Sequence, residues 1–131
     1  MTYKFDFYRS SIIVVPKITN ASDTSEIKFM LDTGASKTVI DSTAAAKRLG
    51  FDLKSLEKGD RLMTANGRIN SKILELPKFS LFGKDLVNFE VSVFELPSQI
   101  TYFADGLIGM DFLLLFKKIT FDFEKNIIET S

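Results

Sequence analysis

The segment KFMLDTGASKTVID, residues 28–41, places one carboxylate, Asp32, at the end of an apolar run and follows it with Thr33 and Gly34. A carboxylate can take a proton from water while a neighbouring protonated carboxyl group donates a proton to a carbonyl oxygen. Two such groups about 3 Å apart share one proton, because like charges at that distance cannot both ionise. The pair would hydrolyse an amide bond without a metal or a covalent nucleophile. Asp32 is therefore a candidate for half of a catalytic pair.

The residues next to Asp32 suit a carboxylate that is held in one position. Gly34 lets the backbone approach closely and can donate its N–H to the carboxylate. Thr33 carries a hydroxyl that can lock the loop, and the apolar strand before the acid restricts water and keeps the geometry rigid. The tripeptide by itself is a weak signal, because an ordinary Asp turn has the same pattern.

A phosphate-binding loop is a competing interpretation of the same segment. The letters GASKT, residues 34–38, resemble the end of such a loop, in which a glycine precedes Lys and Ser or Thr. Ser36 occupies the position of that glycine, and Leu31 occupies the position of the first glycine. We therefore reject a phosphate-binding loop.

The composition restricts the possible chemistry. The chain has 131 residues, 45% of them hydrophobic, with 17 basic and 17 acidic side chains and neither cysteine nor histidine. We expect one domain spanning residues 1–131, no nucleic-acid or membrane partner, and no metal or organic cofactor. Because no signal peptide or transmembrane segment is evident, cytoplasmic location is the default expectation.

Most of the chain consists of short strand patterns separated by turn signals, which predicts a mostly-β domain. Asn66-Gly67 between two extended segments predicts a hairpin, and a second turn is expected around Gly83–Asp85. Two segments differ. Residues 42–49 predict a short helix, with Asp41 or Ser42 as its N-cap and Gly50 near its C-cap. The letters GMDFLLLF, residues 109–116, predict a second short, buried helix.

Four motifs, in the same order, resemble those of the retropepsin-type aspartic proteases, the single-domain relatives of the retroviral enzymes. They are FMLDTGASKTVI (29–40), the helix that follows it, TANGRI (64–69) and DGLIGMDFLLLF (105–116). The resemblance covers residues 12–123. It implies a closed β-barrel of the acid-protease type with two short helices and one lobe per chain, and it implies peptide hydrolysis as the activity.

The resemblance also assigns roles to individual residues. These are Asp32 as the catalytic acid, Thr33, Gly34 and Ala35 as support of its loop, Ala65, Asn66 and Gly67 at the tip of a flap over the substrate, and Leu107, Ile108 and Gly109 as a closing motif behind the loop. The flap residues have a plainer explanation, because Asn-Gly favours a tight hairpin turn whatever the function. Apolar residues such as Val39, Met63 and Ile108 are candidates to flank the substrate groove, although an ordinary place in the core is favoured for each of them.

The second carboxylate must come from elsewhere. Asp105 precedes Gly106 without a hydroxyl residue between them and suits a turn, Asp111 suits the N-terminus of a helix, and Asp41 suits an N-cap. The chain is also too short for two lobes. We therefore infer a homodimer whose two-fold axis passes between two copies of Asp32, as the resemblance also implies.

Two other functions remain open at this point. One is a catalytically silent dimeric module with the same fold that binds peptides or acts as a scaffold. The other is a structural β-barrel protein in which the Asp-Thr-Gly tripeptide is fortuitous. The expected partners of the protease are a second copy of the chain and a peptide or protein substrate.

Overall fold

The fold is given by a computed structural model that describes residues 1–64 and 67–131, with residues 60–64 described by their backbone. The described residues form thirteen strands in two sheets, and 51% of the residues lie in strands against 12% in helices, so the predicted mostly-β class is confirmed. The strands are β1 (Thr2–Lys4), β2 (Asp6–Tyr8), β3 (Ser11–Val14), β4 (Lys17–Asn20), β5 (Asp23–Glu26), β6 (Phe29–Leu31), β7 (Val39–Asp41), β8 (Lys58–Thr64), β9 (Gly67–Leu81), β10 (Lys84–Phe94), β11 (Gly106–Ile108), β12 (Ile119–Asp122) and β13 (Ile127–Thr130).

Three short helical segments occur in the described part of the chain. They are a π-helical segment (Ala44–Arg48), α1 (Ser98–Thr101) and α2 (Met110–Leu113). The sequence predicted the first and the third. It did not predict α1, because a helix of four residues is too short to show hydrophobic periodicity.

The Asp41 side chain caps the first turn of the first helical segment, although the residue at the N-cap position is Thr43 rather than the predicted Asp41 or Ser42. Its Oδ2 accepts the N–H of Ala44 at 3.3 Å, and its Oδ1 accepts the N–H of Leu96 at 2.9 Å. The same buried carboxylate therefore begins the helical turn and holds the chain that leaves β10. Gly50 ends the segment with a φ of +73°, which suits a C-cap glycine.

The larger sheet has ten strands in the order β2-β3-β6-β11-β7-β10-β9-β4-β5, with β8 added to β9. At its centre, β11 is parallel to β6 and antiparallel to β7, and β7 is parallel to β10. The smaller sheet has the order β1-β13-β12. The pairing among the described residues is an open path from β2 to β5, so the hydrogen-bonded order does not by itself close a barrel.

Two hairpins lie beside this centre. The turn between β9 and β10 is formed by Phe82 and Gly83, both with positive φ, one residue earlier than the predicted turn around Gly83–Asp85. In the other hairpin, β8 pairs with β9 and Thr64 lies opposite Gly67, which confirms the two predicted extended segments. The predicted turn dipeptide is Asn66-Gly67. Gly67 instead begins β9, and Ala65 and Asn66 lie outside the described residues.

The central strands have two apolar faces because successive side chains of a strand alternate. Phe29, Ile40 and Ile108 lie in the main core. The residues that alternate with them lie in a separate group, here called the second cluster. It consists of Val39, Phe94, Leu96 and Leu107, with the partly buried Met30, Ile69 and Ile100 packed against them.

An ion pair between Arg48 and Asp105 joins the segment Ala44–Arg48 to the start of β11. The backbone of Asp105 is also held, since its N–H donates to the carbonyl of Lys28 and its carbonyl accepts the N–H of Asp41. Burial raises the pKa of the Asp105 carboxyl above its ordinary value of 3.8; Arg48 opposes this rise, and Asp41 adds to it. Burying the charge therefore costs more free energy than the ion pair contributes.

We expect the substitution Asp105→Asn to raise the free energy of unfolding at neutral pH. In the wild type, the ionised carboxyl destabilises the folded state above its raised pKa, and this penalty disappears as the pH falls to 3.8. The difference between variant and wild type should therefore vanish below that pH. Urea unfolding at several pH values measures it.

The matched control is Arg48→Met, which should have the opposite effect. Without the guanidinium, Asp105 is a buried charge near Asp41, so stability should fall at neutral pH and recover in acid. A loss of stability in Asp105→Asn at neutral pH would contradict the assignment.

Candidate active site

Asp32 directly follows β6 and continues its pairing with β11. The Asp32 N–H donates to the carbonyl of Ile108 at 2.9 Å, so the acid is fixed at the end of the ladder between the two strands. Its side chain is half-buried, whereas Thr33 and Gly34 are exposed. The carboxylate therefore lies at the surface of a single chain while its backbone is anchored in the sheet.

The loop after Asp32 folds back onto the acid. Gly34 donates its N–H to Asp32 Oδ1 at 2.9 Å, which is the contact predicted for this glycine. Ala35 donates its N–H to the Asp32 carbonyl at 3.2 Å. The two bonds form an Asp turn that fixes the direction of the carboxylate.

The closing motif passes directly behind this loop. A Cβ added to Gly109 would lie 2.5 Å from the carbonyl carbon of Lys37 and 2.9 Å from the carbonyl oxygen of Ala35, closer than any side chain allows. Immediately afterwards, Met110 donates its N–H to the Ala35 carbonyl at 2.8 Å. Only glycine allows the two backbone segments to cross at this distance.

A second contact between loop and helix involves Thr38 and Asp111. Oδ1 of Asp111 accepts the N–H of Thr38 at 2.9 Å, its hydroxyl at 2.8 Å and the N–H of Phe112 at 2.8 Å. The Thr38 hydroxyl in turn accepts the N–H of Gly109 at 3.2 Å. Thr38 was not predicted from the sequence, and Asp111 was predicted only to interact with the helix dipole. The two residues are 73 positions apart, and no local pattern links them.

The face of β6 that carries Asp32 is apolar. Met30, two residues earlier, lies on that face. It is in register with Leu107 of β11, and Leu107 is in register with Val39 of β7. All three belong to the second cluster, so apolar side chains lie on the same face of the sheet as Asp32. Of the two places open to Ile108, it occupies the core, because it alternates with Leu107 and is fully buried in the main core.

The other predicted site residues are only partly described. Gly67 has a φ of +106° and open space around it, and Ile69 of the same strand packs on the second cluster. Ala65, Asn66 and the side chain of Met63 lie outside the described residues, so the flap tip stays a prediction.

The remaining aspartates named in the sequence analysis have other contacts. Asp41 caps a helix, Asp105 pairs with Arg48, and Asp111 binds Thr38. In the part of the chain that the structure describes, no three acidic or metal-ligating side chains are arranged to hold a metal ion. Among the same residues, no helix has the length and apolar character that crossing a bilayer requires.

The comparison with family profiles decides the relationship. The profile of the aspartyl protease family matches residues 18–112, which include the Asp32 loop, the hairpin β8–β9 and the closing motif. The chain belongs to the aspartyl protease family.

Two solved structures specify the fold. A retropepsin-like aspartic protease from Rickettsia conorii is 27% identical, with a TM-score of 0.71 over 99% of this chain and 89% of that chain. EIAV protease, solved in complex with the inhibitor HBY-793, is 18% identical, with a TM-score of 0.61 over 83% of this chain and 92% of that chain. The predicted retropepsin-like fold is therefore confirmed. A search of curated proteins finds no significant match.

We expect Gly109→Ala to destabilise this member of the aspartyl protease family by about 1–3 kcal/mol or more, because the added methyl group overlaps the backbone of Lys37. Chemical denaturation gives the free energy of unfolding. Gly67→Ala is the control: it places a methyl group in open space at a positive φ and should cost only about 1 kcal/mol. Equal losses in the two variants would show that the crossing is not tightly packed.

Proposed function

We propose that this chain is a homodimeric aspartic endopeptidase whose catalytic pair consists of two copies of Asp32, one from each subunit. The observation that carries the proposal is the fixed carboxylate of Asp32. It accepts the N–H of Gly34 and follows a strand whose face carries apolar side chains of the second cluster. The closing motif passes behind its loop. Family membership and the structural likeness to the Rickettsia conorii protease support peptide hydrolysis.

The reaction uses one ionised and one protonated carboxyl group. The ionised Asp32 takes a proton from water as the water oxygen bonds to the peptide carbonyl carbon. The protonated Asp32 gives its proton to the carbonyl oxygen. The Asp32 that took the proton from water then gives it to the amide nitrogen of the tetrahedral intermediate, and the C–N bond breaks. A hydroxyl proton of the intermediate passes to the other Asp32. The pair again holds one proton at the end of the cycle.

The second cluster supports apolar substrate side chains near the cleaved bond. Leu107 and Val39 are buried members of this cluster, and Ile69 from β9 and Ile100 from α1 pack against it. Apolar groups of a peptide would lose contact with water there, which favours binding. Ala65, Asn66 and Gly67 would cover the peptide as a flap.

Two further parts of the proposal concern the assembly. Thr33 is exposed at the end of the acid loop, and its hydroxyl would hydrogen-bond to its copy across the two-fold axis. Thr33, Gly34 and Ala35 together would hold the loop in the dimer. Cytoplasmic location stays a prediction from the sequence.

We expect Asp32→Asn to abolish cleavage of a mixed peptide library, a loss of about 10²-fold to 10⁴-fold or more, because the amide cannot act as a base. Product formation is measured by mass spectrometry, with an aspartic-protease inhibitor as a second control. Asp85→Asn, at an exposed carboxylate on β10, should leave cleavage unchanged. Cleavage that survives Asp32→Asn excludes the proposed pair, and a wild type that binds peptides without cleaving them identifies a silent binding module.

We also expect activity to require two intact copies of Asp32. Added Asp32→Asn protein should lower the activity of the wild type, because mixed dimers have only one carboxylate, whereas added Asp85→Asn protein should raise it. The specific activity of the wild type should fall on dilution as dimers dissociate. Full activity in a species that sediments as a monomer would contradict the shared site.

A further inference from the structure

The contact between Thr38 and Asp111 has more specific geometry than a helix cap requires. One oxygen, Oδ1 of Asp111, accepts three donors at 2.8–2.9 Å, and two of them belong to Thr38. The Thr38 side chain is completely buried, and its hydroxyl is used as a donor to Asp111 and as an acceptor from Gly109. A single threonine thus joins the end of the acid loop to the closing motif and to α2.

The acid loop, residues 32–38, is held at each end and in its middle by residues 108–112. Asp32 is bonded to Ile108 at the beginning of the loop and Thr38 to Asp111 at its end. Between them, the carbonyls of the two loop residues after Gly34 accept the N–H groups that open α2. Asp111 contributes twice, because its N–H donates to Ser36 and its carboxylate binds Thr38.

The holding residues are themselves fixed by the main core. Phe112 is fully buried, and its ring meets the ring of Phe79 edge-on at 5.5 Å and that of Phe116 at 5.6 Å. Asp111 is the residue next to Phe112 and cannot move independently of it. Fixation therefore runs from the core through α2 to the loop that carries Asp32.

We infer that Thr38 and Asp111 are positioning residues for Asp32, which set the place of its carboxylate relative to the two-fold axis. The inference rests on the proposed function, in which two carboxylates must meet about 3 Å apart. A displacement of about 1 Å in such a site can lower the rate about a hundredfold. Both residues act through the acid loop rather than by touching the substrate.

The first test compares Thr38→Val with Thr38→Ser. Valine keeps the shape but removes the hydroxyl, so kcat should fall about tenfold to a hundredfold while KM changes by less than about twofold. Serine keeps the hydroxyl, and kcat should stay within about threefold of the wild type. Equal kcat values in the two variants, or a loss confined to KM, overturn the inference.

A matched pair at the other residue keeps the test valid if Thr38→Val does not fold. Asp111→Asn retains an acceptor oxygen in the same place, and Asp111→Ala removes it. The alanine variant should lose at least about tenfold more kcat than the asparagine variant. The reverse order, or equal losses, overturns the inference.

A measurement without activity separates this inference from the proposed function. Amide hydrogen exchange by NMR should be faster in Thr38→Val at Gly34 and Ala35, whose N–H groups bond to Asp32. Exchange at the paired amides of β9 and β10 should not change. A uniform increase shows a general loss of stability and overturns the positioning role. A wild type that never cleaves peptides overturns the proposed function, and selective exchange would still support the hold of Thr38 on the loop.

Discussion

The close crossing of two backbone segments, the Asp32 loop and the chain at Gly109 between β11 and α2, is the constraint on which the rest of the structure depends. At this point a single methyl group would overlap the neighbouring carbonyl. Such an approach leaves no room for water, so the polar groups on both segments must bond to each other. They do so through Asp32 with Ile108 and through the carbonyl of Ala35 with Met110. The geometry of the acid therefore depends on the crossing as well as on the turn formed by the tripeptide Asp-Thr-Gly.

The strand pairing explains why the site has an apolar side and a rigid side. In the parallel pair β6 and β11, one set of alternating residues enters the main core and the other forms the second cluster. Asp32 stands at the edge between the two. The main core fixes its backbone, and the second cluster covers the other face of the same strands with apolar side chains. Strands that are buried on both faces carry apolar residues at successive positions, as these do.

Part of this arrangement could be predicted from the sequence, and part could not. The acid loop and the capping side chain of Asp41 depend on local residue types, and local chemistry predicts them well. Gly109 was indicated only by the resemblance to a family, because the need for glycine there comes from a distant segment. The direction of Ile108 could not be predicted, because in the short run Gly-Leu-Ile every residue is buried and no polar position marks a face. The turn at Phe82 was misplaced because a bulky residue rarely adopts a positive φ. The bond between Thr38 and Asp111 depends on a tertiary approach of distant segments, which no window of sequence contains.

The separation of 73 residues between Thr38 and Asp111 also determines when the acid loop can form its contacts during synthesis. During synthesis, the acid loop leaves the ribosome long before the strand and helix that hold it, and closing so long a segment carries an entropic cost. Contacts between distant parts of a chain also form late in folding, because the entropy of closing the loop between them is lost before the contacts stabilise the fold. A growing chain that already carries Asp32 has no backing for that loop. The contacts that hold the Asp32 loop therefore stay unformed until almost the whole family domain has been translated.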